Sequence, residues 1–170
     1  MQALTVLRFR RPQCLGFLRD QRAATAVEIA LITPVFLILI FAWIEVGLCL
    51  FMLSTLDNAA RDASRLIRVG TVTSDTFKAA ICAKASPFIP CNNIVFYVQS
   101  GTSFGSLTPA KPSTTTTLSK TGFTPGGSGA EVLLQIGYNK PAFVSKLLQA
   151  AGFGGNIPLL TTLAFQSESY

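Results

Sequence analysis

The stretch at residues 26–53, AVEIALITPVFLILIFAWIEVGLCLFML, decides the fold. Residues 29–44 carry no charge, and past the single Glu45 the apolar character continues to Leu53. About 20 residues rising ~1.5 Å each cross a hydrocarbon core of ~30 Å, so residues 29–48 suffice for one span. Glu28 stands in the first turn of the run. Before it lie Arg8, Arg10, Arg11, Arg19 and Arg22 against Asp20. The positive-inside rule keeps that flank cytoplasmic and sends the C-terminal part outward, with Arg61, Arg65 and Arg68 as a partial counterweight. Position, charge asymmetry and the included acid point to a membrane-anchored protein of the assembly type.

A cleaved secretory signal has an apolar region of roughly 7–15 residues and then a small-x-small site. This run is longer, and Asp57-Asn58-Ala59-Ala60-Arg61-Asp62 beyond it offers no such site. The segment is therefore expected to stay on the mature protein. Outward from the run, Leu56, Ala59, Ala60, Ala63, Leu66 and Ile67 recur at spacings of three and four, with Asp57, Arg61, Asp62, Ser64, Arg65 and Arg68 opposite. That is an amphipathic helix, and Gly70 is placed to cap it. No Pro or Gly pair separates it from the apolar run. The reading is one helix over residues 25–69, roughly 65–70 Å long at 1.5 Å per residue, with Pro34 a candidate kink because it removes a backbone hydrogen bond.

The remainder reads as an α+β domain with a short antiparallel sheet. Residues 74–85 form a short helix with Ser74 as N-cap and Asp75 in the first turn. Residues 93–99 alternate as a strand, and residues 131–138 and 158–167 give two more. Residues 101–130, rich in Gly, Ser, Thr and Pro, read as a mobile loop. Residues 140–151 fit a short helix or an irregular connection. Outside the membrane, Cys82 and Cys91 meet an oxidising periplasm, where a disulfide between them is expected, free buried thiols being the alternative. Cys14 falls in the flank and Cys49 in the apolar run.

Four blocks then carry a resemblance: Arg22-Ala23-Ala24-Thr25-Ala26-Val27-Glu28, Pro34-Val35-Phe36, Ile44-Glu45-Val46-Gly47, and the run from Leu56-Asp57-Asn58-Ala59 through Ala60-Arg61-Asp62-Ala63-Ser64-Arg65. In that order and spacing they resemble the N-terminal signature of the TadE-like family, minor pseudopilins of the tight-adherence (Tad, Flp-type) pilus machinery of bacteria. The last strands resemble the family more loosely, and residues 71–130 carry no likeness. The resemblance implies cutting by an inner-membrane prepilin peptidase between Ala23 and Ala24, making Glu28 the fifth residue of the mature chain. Ala23 stands where the family usually has glycine, and Ile29 where an aromatic is common. The resemblance also implies partners: other pilin and pseudopilin subunits and the Tad assembly-platform proteins. It further marks Glu28, Pro34, Glu45, Asp57, Asn58 and Arg61 as candidates for helix packing and assembly.

A carboxylate at the centre of a spanning helix costs about 2.5–3.5 kcal/mol, and less near an interface. Glu28 therefore calls for a partner, and the new α-amino group left by cleavage, on this or an adjacent subunit, is the one the resemblance supplies; solvation at headgroup depth is the other reading. Glu45, about 25 Å along the axis, falls near the opposite interface, where solvation is the simpler account.

The chain carries 170 residues, room for about one domain plus an anchor, with 49% hydrophobic and 13% charged residues and a net charge of +6. Of that charge +4 precedes the apolar run, so it is a membrane flank and not a nucleic-acid footprint. Gly101-Thr102-Ser103-Phe104-Gly105 fits the nucleophile-elbow pattern, yet the sequence has no histidine to serve as base or zinc ligand. No catalytic, cofactor or metal site is assigned. Two function classes remain: a processed, non-catalytic assembly subunit, or an uncleaved single-pass protein whose periplasmic domain binds a ligand or envelope partner.

Overall fold

The computed structural model describes residues 21–70, 72–113, 117–147, 152 and 155–168. Most of the arginine flank and the side chain of Ala23 lie outside the described residues. The chain divides into two units, Met1–Phe41 and Ala42–Tyr170. Helix α1, Gln21–Val69, supplies all of the described first unit and opens the second.

In the first unit the side chains from Ala24 to Phe41 are exposed, Ile38 alone being half-buried. Such a surface is stable only against lipid or other apolar surfaces. The window is apolar enough to cross a membrane, with a mean hydropathy of 2.6. Pro34 sits inside the helix, and the Thr33 hydroxyl donates to the Ile29 carbonyl at 2.7 Å, so its polar group is satisfied within the helix.

The second unit is α+β. After α1 come α2 (Ser74–Ala85), β1 (Ile94–Gly101), β2 (Pro112–Ser113), β3 (Thr117–Leu118), β4 (Gly122–Phe123), β5 (Glu131–Pro141), α3 (Phe143–Leu147) and β6 (Asn156–Gln166). The main sheet has the order β4-β1-β5-β6. β1 with β5 and β5 with β6 are antiparallel, but β4 lies parallel to β1 through Tyr97 opposite Gly122 and Val98 opposite Phe123. The sheet is thus mixed, because the chain returns to the edge of β1 by a long connection and not by a hairpin.

The stripe Leu56, Ala59, Ala60, Ala63 and Ile67 is buried at the recurrence of three and four that its sequence shows, in one cluster with Phe77, Ile81, Val98, Val132, Leu134, Ile136 and Phe165. Leu66, read as part of that stripe, is 42% exposed instead. It neighbours Ile67 in sequence and so points about 100° away from it around the helix. Gly70 ends α1 at φ 82°, its N–H donating to the Ile67 carbonyl. The N-cap of α2 is Thr73, one residue before the expected Ser74, because Thr73 and Thr76 bond reciprocally through side chain and backbone. Cys82 in α2 is joined to Cys91 by a disulfide with Cα atoms 5.3 Å apart, pinning the helix to the chain that enters β1. Phe77, Phe96 and Phe123 meet ring to ring at 5.2–6.2 Å between centroids.

Residues 101–130, read from the sequence as a loop, hold short strands. Within them β2 and β3 pair, Thr117, Leu118 and Ala110 are buried, and β4 joins the main sheet. The buried Gln135 amide holds this segment: its Oε1 accepts from Ala110 N–H at 2.6 Å and its Nε2 donates to the Ala110 carbonyl at 3.4 Å. Thr117 takes φ 69° above Gly137, where an added Cβ would lie 2.5 Å from the Thr117 methyl. Residues 132–138 of β5 are consequently buried without alternation, as befits a strand covered on both faces. Residues 140–151 split: Lys140 and Pro141 prolong β5, and α3 occupies five residues.

Candidate assembly surface

The site residues expected from the sequence fall on α1, and the structure separates them by environment. Ala24 and Glu28 are exposed, and among the described residues Glu28 has no hydrogen-bond or ion-pair partner. Asn58 is exposed. Glu45, Asp57 and Arg61 instead engage the folded second unit.

Glu45 is 7% exposed, contrary to the expected solvation. Its Oε1 accepts from Lys140 Nζ at 2.9 Å and from the Phe143 N–H at 2.6 Å, and its Oε2 accepts from the Val144 N–H at 2.8 Å. Lys140 is itself 7% exposed, so this is a buried ion pair closed by two backbone donors. The two N–H groups are the free donors at the start of α3, which a five-residue helix cannot satisfy internally. A helix that short does not persist on its own; the anion at its N-terminus fixes it. Neither Lys140 nor α3 was singled out as a partner from sequence. The available signal was a lysine near the end of a mostly apolar strand, matched to an acid set among apolar residues of α1.

About three turns farther along α1, Asp57 is half-buried. Arg61 Nε donates to its Oδ2 at 2.9 Å, and the Thr161 hydroxyl of β6 donates to its Oδ1 at 3.0 Å. The Arg61 bond first, and the Thr161 bond next, hold the Asp57 carboxyl below its ordinary range against the opposing effect of desolvation. Arg68 lays its guanidinium 5.0 Å over the Phe165 ring. Ser103 follows β1 and precedes a single 3-10 turn, its carbonyl accepting from the Ser106 N–H and hydroxyl; this is not the strand-to-helix elbow of a hydrolase nucleophile.

Within the second unit the opposite side of the helix stays open. Trp43 is 79% exposed, and Ile44, Val46, Leu50 and Phe51 are exposed as well. One face of the helix is thus built into the core while the other is apolar and largely exposed among the described residues.

Residues 23–65 match the family model described as TadE-like protein. That stretch is similar to the TadE-like family. Comparison with curated proteins and with solved structures returns no match. The TadE-like segment begins at Ala23, beside the expected processing bond, and ends inside the buried stripe. It takes in the apolar run, Glu28, Pro34, Glu45, Asp57, Asn58 and Arg61, whereas the residues that hold Glu45 and Asp57, namely Lys140, α3 and Thr161, lie outside it.

Proposed function

We propose that the protein is a minor pseudopilin of a tight-adherence pilus, a non-catalytic subunit needed for pilus assembly and hence for adherence and biofilm formation. In this reading a prepilin peptidase cuts between Ala23 and Ala24. The first part of α1 lies in the bacterial inner membrane, and the domain faces the periplasm. The subunit works with other pilin-like subunits and the assembly-platform proteins, and its exposed α1 face packs against their helices.

The observation that carries this reading is the extent of the TadE-like match, residues 23–65. It ignores the boundary between membrane segment and domain, running from an exposed apolar stretch into the helix that forms the domain core. A plain anchor has no need of a shared helix; a subunit that must transmit packing from lipid to a neighbour does.

Glu28, exposed and without a partner among the described residues, supports an intermolecular role, since a carboxylate entering lipid is stabilised by a cation such as a freed α-amino group. Mass spectrometry of the protein purified from its native membrane tests the processing: a mature chain starting at Ala24 is expected. An unprocessed chain in a piliated cell would favour the uncleaved single-pass reading, with the domain as a binding module.

A further inference from the structure

We propose that the outer edge of β6 and the groove beside it take up an extended peptide segment of a partner protein as an added strand, with carboxylates at one end of that segment and apolar side chains at the other. The site lies within the second unit and does not depend on the membrane or pseudopilin reading.

In the sheet order β4-β1-β5-β6, β6 is an edge strand of 11 residues. The Ser167 N–H donates to the Ala130 carbonyl at 2.8 Å, one step beyond the Glu131–Gln166 pair of the ladder. Hydrogen-bonded and non-hydrogen-bonded pairs alternate in an antiparallel ladder. Leu159, Thr161, Leu163 and Phe165 therefore bond to β5, while Leu160, Thr162 and Ala164 turn their N–H and C=O groups outward. No described strand pairs with that side. Native edges are commonly blunted by charge or proline, yet from Leu159 to Gln166 there is neither. Pro158, which has no N–H to offer, stands near the start of the strand and leaves the rest of the edge intact. Such a row of free donors and acceptors is a template for strand addition.

Two hollows of about 410 and 300 Å³ lie between this edge and α1. They follow one another along the strand, since their β6 residues are Leu160 to Thr162 and then Leu163 to Phe165. The first is bordered on its apolar side by Leu50, Leu53 and Leu160. The second is bordered by Arg61, Arg65 and Arg68 and by no carboxylate. Arg61 is engaged by Asp57 at 2.9 Å, whereas Arg65 and Arg68 have no ion-pair partner among the described residues. Arg68 Nε is buried without an acceptor, an unmet donor in the wall of this hollow. Guanidinium groups so placed select a carboxylate. A second copy does not supply it through the same edge, because β6 carries no charged residue. The occupant is therefore a strand of another protein, acidic beside Arg65 and Arg68 and apolar beside Leu50 and Leu53.

The test titrates the full-length protein in mild detergent into fluorescein-labelled Glu-Thr-Glu-Thr-Val-Thr-Leu-Thr and into its reversal, Thr-Leu-Thr-Val-Thr-Glu-Thr-Glu, so that both strand directions are offered, and reads fluorescence anisotropy. At least one of the two should bind saturably below about 1 mM. Lysine in place of both peptide glutamates, or Arg65→Glu at its exposed position in the protein, should each weaken binding about tenfold or more. N-methylation of one alternate set of peptide residues should abolish binding and of the other set should leave it intact, because only one set directs its N–H groups at β6. Equal effects of the two sets overturn strand addition, and indifference to both charge changes overturns the acidic end. Failure of both peptides to bind overturns the site. A dimer in sedimentation velocity that excludes both peptides assigns the edge to a second copy and likewise overturns the proposal.

Discussion

Removing the Glu45 carboxylate should unlock the lower end of the domain, and the structure sets how much. Glu45→Ala deletes three bonds at once, the Lys140 ammonium at 2.9 Å and the two α3 N–H groups at 2.6 and 2.8 Å, and leaves a lysine that is 7% exposed with its charge uncompensated. Breaking a buried pair from one side costs about 3–5 kcal/mol. Lys140→Met keeps the carboxylate with both backbone donors, so its cost should be nearer the ~1–3 kcal/mol of one lost charge-assisted bond. The double variant Glu45→Met with Lys140→Met removes both charges and should lie closer to the parent than Glu45→Ala does. Urea unfolding of the full-length protein in mild detergent, followed by near-ultraviolet circular dichroism of the phenylalanine cluster, measures all three. With a slope of about 2 kcal/mol per molar, Glu45→Ala should lower the midpoint by about 1.5–2.5 M. A shift for Glu45→Ala smaller than that for Lys140→Met would refute the assignment of Glu45 as the centre of the lock.

Glu28→Ala should insert normally yet abolish piliation, scored by electron microscopy and membrane fractionation; unchanged pili would remove the proposed intersubunit role. Cys82→Ser opens a ring whose closure, at a separation of 9, is worth about 2.7 kcal/mol on the chain-entropy account, so the melting temperature of the domain should fall, and an unaltered one would count against the bond's contribution. The Asp57 carboxyl titrates below its ordinary value, so its contribution is fully present above the unfolded-state pKa and disappears as pH falls through the lower folded value. Asp57→Asn should therefore flatten the acid limb of stability slightly, the side chain being 35% exposed, and leave the neutral region's pH dependence unchanged; an acid limb identical to the parent's would contradict this. Gly137→Ala would drive a Cβ to 2.5 Å from the Thr117 methyl, lifting β3 off the sheet at a cost of about 1–3 kcal/mol, visible as new proteolytic cleavage within residues 101–130.

What could be read directly from the chain was local and periodic. The stripe Leu56, Ala59, Ala60, Ala63 and Ile67 and the alternation of β1 announce themselves because side-chain direction repeats with a fixed period in helix and strand, while the apolar run, the Gly70 stop and β5 announce themselves by composition. Compartment and proximity in sequence likewise single out Cys82 and Cys91. Composition was silent on the contacts of residues 101–130: Gly, Ser, Thr and Pro are abundant there, and Gln135 and Gly137, outside the segment, provide the amide and the gap against which it packs. Periodicity states which face of α1 is buried and is silent on what covers it. Glu45 and Lys140 are 95 residues apart, and Asp57 and Thr161 are 104 apart. Their meeting depends on the register of β5 and β6 and on where the chain turns after Pro141, which no local pattern encodes. The sequence by itself determined that a long helix begins apolar enough to cross a membrane and ends in a core. Only the tertiary structure decided that Glu45 belongs to the domain and not to the solvent, because a buried charge is tolerated only where a distant strand delivers its counterion.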